Sequence, residues 1–235
     1  LKKRNYLLLI PLILTLSACQ STSSQGEKTD TNKSTGSLPM KKTPIGQKNK
    51  PVKVTNNGSY YSVEGKYGSV IIVNKRHPLD KHYNPGEDAK AKKAFLQVIA
   101  EMKNQGFSVS DQYSGFRSYD TQTELYQNYV NRDGKAQADR YSARPGYSEH
   151  QSGLAFDILD GQGNLLEEPQ ASQWLLEHAP DYGFILRYLP NKEASTGYQA
   201  ESWHIRYVGK EAKDIAKSGK TLEEYYGVPG GDYPN

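Results

Sequence analysis

From about position 58 onward, the apolar residues fall into short groups whose spacing alternates between two periods. Phe95, Val98, Ile99 and Met102 recur at i, i+3, i+4 and i+7. That spacing predicts a helix over Ala89–Gln105, closed by Gly106. Leu125, Tyr126 and Tyr129 mark one face of a second helix, capped by Asp120 and running to about Asn131. Runs rich in Val, Ile, Tyr and Phe at Tyr60–Val63, Val70–Val73, Phe107–Val109, Leu154–Leu159, Tyr182–Tyr188 and Trp203–Val208 read as strands. Shorter helices are expected at Ala171–His178, Glu211–Lys217 and Leu222–Tyr226. Arg132–Ser148, rich in Gly, Arg, Asp and Ser, reads as a loop. Helices first, then several strands with hairpin-sized gaps, imply an α+β fold with a mainly antiparallel sheet and helices packed on it.

The first 57 residues follow neither period. Lys2, Lys3 and Arg4 precede an apolar run from Tyr6 to Leu16, the pattern of a signal peptide and too short for a stable membrane span. Leu16-Ser17-Ala18-Cys19 resembles the lipobox of bacterial lipoproteins, in which the cysteine is linked to a diacylglycerol and becomes the mature N-terminus. Residues 20 to 57 are Ser, Thr, Lys, Gln, Asn and Gly with almost nothing to bury, the composition of a flexible tether. The expected division is therefore a signal peptide over 1–18, a lipid-anchored linker over 19–57 and a folded domain over 58–235. The expected location is the outer face of the cytoplasmic membrane, in the cell envelope. Cys19 is the only cysteine, so a disulfide framework and a cysteine-based metal site are excluded. Thirty Lys and Arg against 26 Asp and Glu leave a net charge of +4, spread along the chain, and no nucleic-acid partner is expected.

The chemistry begins with a carboxylate in the wrong place. Asp157 sits in the middle of the apolar run Leu154–Leu159, where a charge is costly unless a positive partner meets it. One candidate partner is an arginine. The other is a divalent cation shared with His150 and His204, giving a three-ligand zinc site with a fourth position free. On a straight strand, seven residues apart means opposite faces, so Ser152-Gly153 has to turn the chain for His150 to return over Asp157. Glu201 and His204 would likewise face opposite sides of a regular strand, which places Glu201 in the incoming loop or at a bulge. From there a carboxylate could move the proton of a water whose pKa zinc lowers to about 7. His77 and His82 read as ordinary surface-loop histidines, solvated or capping, and His178 as a helix-end residue.

These residues resemble a known family. Ser148-Glu149-His150-Gln151-Ser152-Gly153-Leu154-Ala155-Phe156-Asp157 has the S-x-H-x-x-G-x-A-x-D pattern of the vancomycin-resistance-type zinc D-alanyl carboxypeptidases. Glu201-Ser202-Trp203-His204 and Ser114-Gly115-Phe116-Arg117-Ser118 are similar to two further elements of that family, in the same order. Within it, the chain looks most like the lipoprotein LD-carboxypeptidases of Gram-positive cell walls. The resemblance implies one Zn2+ held by His150, Asp157 and His204, with Glu201 as general base and acid. It also implies that Arg117 fixes the terminal carboxylate or the developing oxyanion, with Gln122, Ser148 and Trp203 as substrate contacts. Tyr188, which flanks the expected site, is read as a further contact lining a peptide groove. The implied activity is removal of the terminal D-alanine from peptidoglycan stem tetrapeptides by a monomer. Two alternatives stand beside it: action on the D-Ala-D-Ala end of pentapeptides, and a non-catalytic wall-binding lipoprotein. Both substrates leave D-alanine, so a preference must come from the residue on the amino side of the scissile bond.

Overall fold

The structure is a computed structural model and describes residues 52–234; Cys19, the signal-like stretch and most of the expected linker lie outside them. Strands β1 (Val54–Asn56), β2 (Tyr61–Gly65) and β3 (Gly68–Ile72) form an antiparallel sheet in chain order. Next come helix α1 (Ala89–Asn104), strand β4 (Val109–Ser114) and helices α2 (Tyr119–Asp133) and α3 (Lys135–Tyr141). A 3₁₀ turn at Glu149–Ser152 leads into β5 (Ala155–Asp160), followed by α4 (Pro169–His178), β6 (Phe184–Tyr188) and the short α5 (Glu193–Thr196). Strand β7 (Glu201–Tyr207) and helices α6 (Ala212–Ser218) and α7 (Leu222–Tyr226) complete the domain. The second sheet has the order β4-β5-β7-β6, and every pair in it is antiparallel. The fold is α+β with a mainly antiparallel sheet, as the pattern implies.

The alternation of strand side chains decides what each face of this sheet does. Phe156 and Ile158 of β5, Phe184 of β6 and Ile205 of β7 share one core with Phe95, Val98, Ile99 and Met102 of α1. Phe95 stacks on Phe156 with ring centroids 4.7 Å apart. Asp157 and His204, out of phase with those residues, therefore point to the opposite face. A second core joins Val63, Val70 and Ile72 of the small sheet to Ile185, Ile215, Leu222 and Tyr226. Helix α1 starts where Asp88 accepts a hydrogen bond from the Ala91 amide, and Lys103 in its last turn complements the dipole.

Four local readings change. Helix α2 is capped by Ser118, whose hydroxyl accepts from the Thr121 amide, and Asp120 lies within the first turn. The stretch read as a loop contains α3, which buries only Ala138 and is held by polar contacts. Tyr126 donates to Asp139 at 2.7 Å, and the Arg140 fork sits on Glu193 at 2.9 and 3.0 Å. A helix with so narrow an apolar stripe leaves no period to read. Strand β1 falls within the stretch read as linker; Val52 and Val54 pack against the second core, and three residues are too few for alternation to show. His77, expected in a surface loop as a solvated or capping residue, is buried, with Nδ1 2.9 Å from Asn74 Oδ1 and its ring edge-on to Tyr61.

Candidate active site

Asp157 and His204 are direct cross-strand partners in the β5–β7 register, so both project from the same face of the sheet. His150 joins them because the chain turns at Gly153, which has φ 73°; a Cβ there would collide with the Gly86 carbonyl oxygen. One ligand atom from each of His150, Asp157 and His204 lies within 4.8 Å of the other two, and all three residues are buried. His204 Nδ1 is 2.9 Å from Asp157 Oδ1, and His150 Nε2 is 3.1 Å from Asp157 Oδ2.

The outer nitrogen of each imidazole is already engaged. His150 Nδ1 lies 2.8 Å from the Gly115 carbonyl oxygen, which can only accept, so this nitrogen carries the proton and Nε2 is left as the donor atom. His204 Nε2 lies 3.2 Å from Glu149 Oε2, which leaves Nδ1 toward Asp157. Such outer partners orient metal-ligating histidines and set their tautomers. Two imidazole nitrogens and one carboxylate converging in a cleft are the donor set of a three-ligand zinc site with an open position. The residues fit a metal ion.

Burial lowers the His150 pKa, which keeps the ring neutral and its lone pair available. Burial pushes His204 the same way, but its hydrogen bonds to Asp157 and Glu149 outweigh that and raise it to about 10. A cation held by Nδ1 of His204 would have to compete with a proton there. Burial would raise Asp157, yet the charge and hydrogen bonds of the two histidines hold it well below the usual carboxylate range. Arg117 also faces this aspartate, with Nη2 3.8 Å from Asp157 Oδ2. The arginine partner and the histidine cluster, alternatives on sequence, thus both face the same aspartate.

Glu201 is the first residue of β7. The β6–β7 register slips between Leu186 and Tyr188, so that Tyr188 faces Glu201. This slip resolves the parity problem and brings Glu201 Oε2 to 3.9 Å from His204 Nδ1. Burial pushes the Glu201 carboxyl up to about 8, with Asp157 and Glu149 adding to the rise and His204 opposing it. A cation at the cluster would favour the charged form and oppose the shift.

Arg117 forms the adjoining wall of a cleft of about 550 Å³. Its Nη1 donates to Gln122 Oε1 at 2.8 Å and its Nη2 to Ser114 Oγ at 3.0 Å. Gln122, read as a substrate contact, is almost wholly buried. Its Oε1 is taken by Arg117 and its Nε2 by the Ala143 carbonyl at 2.7 Å, so it positions the arginine. Ser148 and Tyr188 line the cleft; Tyr188 packs on His204 with ring centroids 5.0 Å apart. Trp203 lies between this cleft and a neighbouring groove lined by Leu176, Leu186 and Pro190.

Sequence reasoning passed over Glu149, the variable position of the S-x-H pattern. In the fold it is a buried hub: Arg187 Nε and Arg206 Nη1 each donate to its Oε1 at 2.8 Å, while Oε2 faces His204. Burial would raise its pKa, but the two guanidinium charges and the His204 hydrogen bond hold it far below the usual range. Arg187 also forks onto Glu223 of α7 at 2.9 and 2.6 Å, so the ligand shell is tied to the second core. The signal was present in Arg187 and Arg206, cations in mid-strand between apolar neighbours, which must find buried anions. Glu149→Ala is expected to lower the unfolding free energy by roughly 3–5 kcal/mol, the cost of leaving buried charges without their partner. Chemical denaturation measures it, and a loss below about 1 kcal/mol would show that the network is not structural.

The family model described as VanY, D-alanyl-D-alanine carboxypeptidase, matches residues 86–210, which include every residue of this site. The solved LdcB LD-carboxypeptidase, described for its peptidoglycan recognition, is 62% identical. The match covers 78% of this chain and 98% of that one, with a TM-score of 0.76. The L,D-carboxypeptidase DacB from Streptococcus pneumoniae is 63% identical, with 78% and 100% of the two chains covered and a TM-score of 0.76. A vancomycin-resistance D,D-pentapeptidase, VanY from a VanB-type cassette, solved in complex with Zn(II), is 33% identical. That match covers 66% of this chain and 97% of that one, with a TM-score of 0.58.

Proposed function

Because the chain belongs to the VanY family of D-alanyl-D-alanine carboxypeptidases, we propose that it is a zinc LD-carboxypeptidase that removes the terminal D-alanine from peptidoglycan stem tetrapeptides. The observation that carries the reading is convergence. Two imidazole nitrogens and a carboxylate oxygen meet beside a buried glutamate and an arginine fork, all in one cleft. The LD rather than DD assignment is supported by the likeness to LdcB and DacB, about twice the identity found with the VanY pentapeptidase.

His150 Nε2, Asp157 and His204 Nδ1 would hold one zinc ion. When bound, zinc supplies Lewis acidity toward the scissile carbonyl and a water of lowered pKa. The protein's own groups do the rest. Arg117, its fork fixed by Gln122 and Ser114, presents N–H donors to the terminal carboxylate or to the carbonyl oxygen as it becomes negative. Ser148, Tyr188 and Trp203 line the same cleft. Glu201, buried beside the cluster and held charged by a bound cation, would take the proton of the attacking water and return it to the leaving amine. With the full set present, a purely wall-binding role leaves Glu201 and the histidine pair unexplained.

The motif at Leu16–Cys19 supports lipidation of Cys19 and placement on the outer face of the cytoplasmic membrane. The test of function is release of free D-alanine from a purified stem tetrapeptide by the zinc-loaded chain, abolished by a chelator and restored by zinc. No release from a protein that binds zinc would overturn the proposal.

A further inference from the structure

One phenol near the end of the described chain touches both loops that frame the cleft. Tyr233 Oη accepts from the Arg144 amide at 2.8 Å and lies 3.3 Å from Tyr198 Oη. The Arg144 guanidinium sits 3.8 Å over the Tyr233 ring, and Tyr147 meets that ring edge-on with centroids 5.0 Å apart. Arg144 is itself anchored on Asp139 at 3.0 and 2.8 Å. These contacts reach the segment 144–147, which runs directly into Ser148 and His150. On the other side, Tyr198 packs on Tyr188 at 5.2 Å, and Tyr188 packs on His204. Tyr198 also stands three residues before Glu201.

The tail that carries Tyr233 is seated by specific contacts. The Gly231 amide donates to the Ser195 carbonyl at 2.8 Å, and the Asn74 side chain donates to the Pro229 carbonyl at 3.1 Å. Lys75, with 1% of its surface exposed, donates to the Gly197 carbonyl at 2.5 Å. Its ammonium lies 4.6 Å over the Tyr198 ring and 5.0 Å over the Tyr233 ring, with Asp232 of the tail at 3.4 Å. A buried ammonium is costly alone, and the two ring faces and the tail carboxylate offset that cost. Gly197 has φ 81°, and a Cβ there would strike the Gly231 carbonyl oxygen, so backbone lies directly on backbone.

We infer that the segment 229–233 is a clamp and that Tyr233 is a positioning residue, holding the loop before Ser148 and the loop before Glu201 at a set separation. The inference rests on the proposed function for what those loops do. Tyr233 touches no reacting group; it acts through Arg144 and Tyr198. Two other ties join α3 to the Glu201 side, the Gln199 amide on the Arg140 carbonyl at 3.0 Å and the Arg140 fork on Glu193. Loss of the clamp is therefore graded.

The experiment compares the full chain with Tyr233→Phe and Tyr233→Ala by amide hydrogen exchange, bound zinc and kinetics on a stem tetrapeptide. Tyr233→Phe keeps the ring contacts and loses both hydroxyl contacts. The Arg144 amide should then exchange roughly 5-fold faster or more, the scale of one lost buried hydrogen bond. Tyr233→Ala should extend the faster exchange to segments 143–147 and 197–200. It should also lower kcat/KM on the order of tenfold, chiefly through KM, with zinc content unchanged. Exchange at both segments unchanged in Tyr233→Ala, or accelerated uniformly across the domain, would overturn the clamp, as would an unchanged KM. Should Tyr233→Ala fail to fold, the Arg144 amide in Tyr233→Phe decides. Should the unmodified chain release no D-alanine, the proposed function fails, and hydrogen exchange still decides the clamp.

Discussion

His204→Ala is expected to lose its zinc and, with it, all measurable release of D-alanine. Of the three converging groups, His204 is the most heavily committed. Nδ1 faces Asp157 at 2.9 Å, Nε2 faces Glu149 at 3.2 Å, and the ring is packed by Tyr188. Alanine removes one of the three proposed ligands, leaving two, which is too few for a stable site that must also keep a position open. It also strips Asp157 of one partner that holds it charged in a buried place. Elemental analysis of the purified variant, beside circular dichroism to verify the fold, reads the result. A folded variant with its zinc content unchanged would remove His204 from the ligand set.

Glu201→Gln is expected to keep both zinc and fold while turnover falls by roughly 10²–10⁴-fold, the usual scale for a general acid–base group. Glutamine preserves shape and buries no charge, so the packing against Tyr188 survives. What it cannot do is accept a proton and give it back. Glu201 lies 3.9 Å from His204 Nδ1 and so stands beside the cluster without being counted among its converging ligand atoms. The loss should therefore appear in kcat and not in metal content. Turnover within tenfold of the unmodified chain would mean that another group moves the proton.

How much of this could be read from the chain depended on which interactions a period or a motif can encode. Helix α1 was legible because Phe95, Val98, Ile99 and Met102 write its buried stripe directly into the sequence. β5 was legible for the opposite reason, a carboxylate that interrupts an apolar run. Parity arguments at Gly153 and Glu201 pointed to a turn and a register slip, and both are present. Helix α3 escaped because Ala138 is its only buried residue and its contacts come from other segments. Glu149 escaped for a related reason: its partners Arg187 and Arg206 are 38 and 57 positions away, and only the sheet brings them together. Gln122 lines the cleft, but its side chain is held by Arg117 and the Ala143 carbonyl, contacts that no local pattern reveals. Buried polar networks are set by tertiary neighbours, and strand pairing must be known before they can be drawn.

The central claim is best tested by offering the zinc-loaded chain an equimolar mixture of tetrapeptide and pentapeptide stems and identifying the early products by mass. In both, the leaving residue is D-alanine, so the carboxylate offered to the proposed contacts Arg117 and Ser148 is the same. The substrates differ on the amino side, where the tetrapeptide carries a long amine-bearing chain on an L-centre and the pentapeptide a methyl of opposite chirality. Inverting that centre would displace the carbonyl relative to the proposed metal ligands and Glu201, and displacements of about 1 Å can cost on the order of 10²-fold. The expected result is tripeptide accumulating from the tetrapeptide while the pentapeptide persists. Tetrapeptide accumulating from the pentapeptide, with the original tetrapeptide untouched, would contradict the LD assignment.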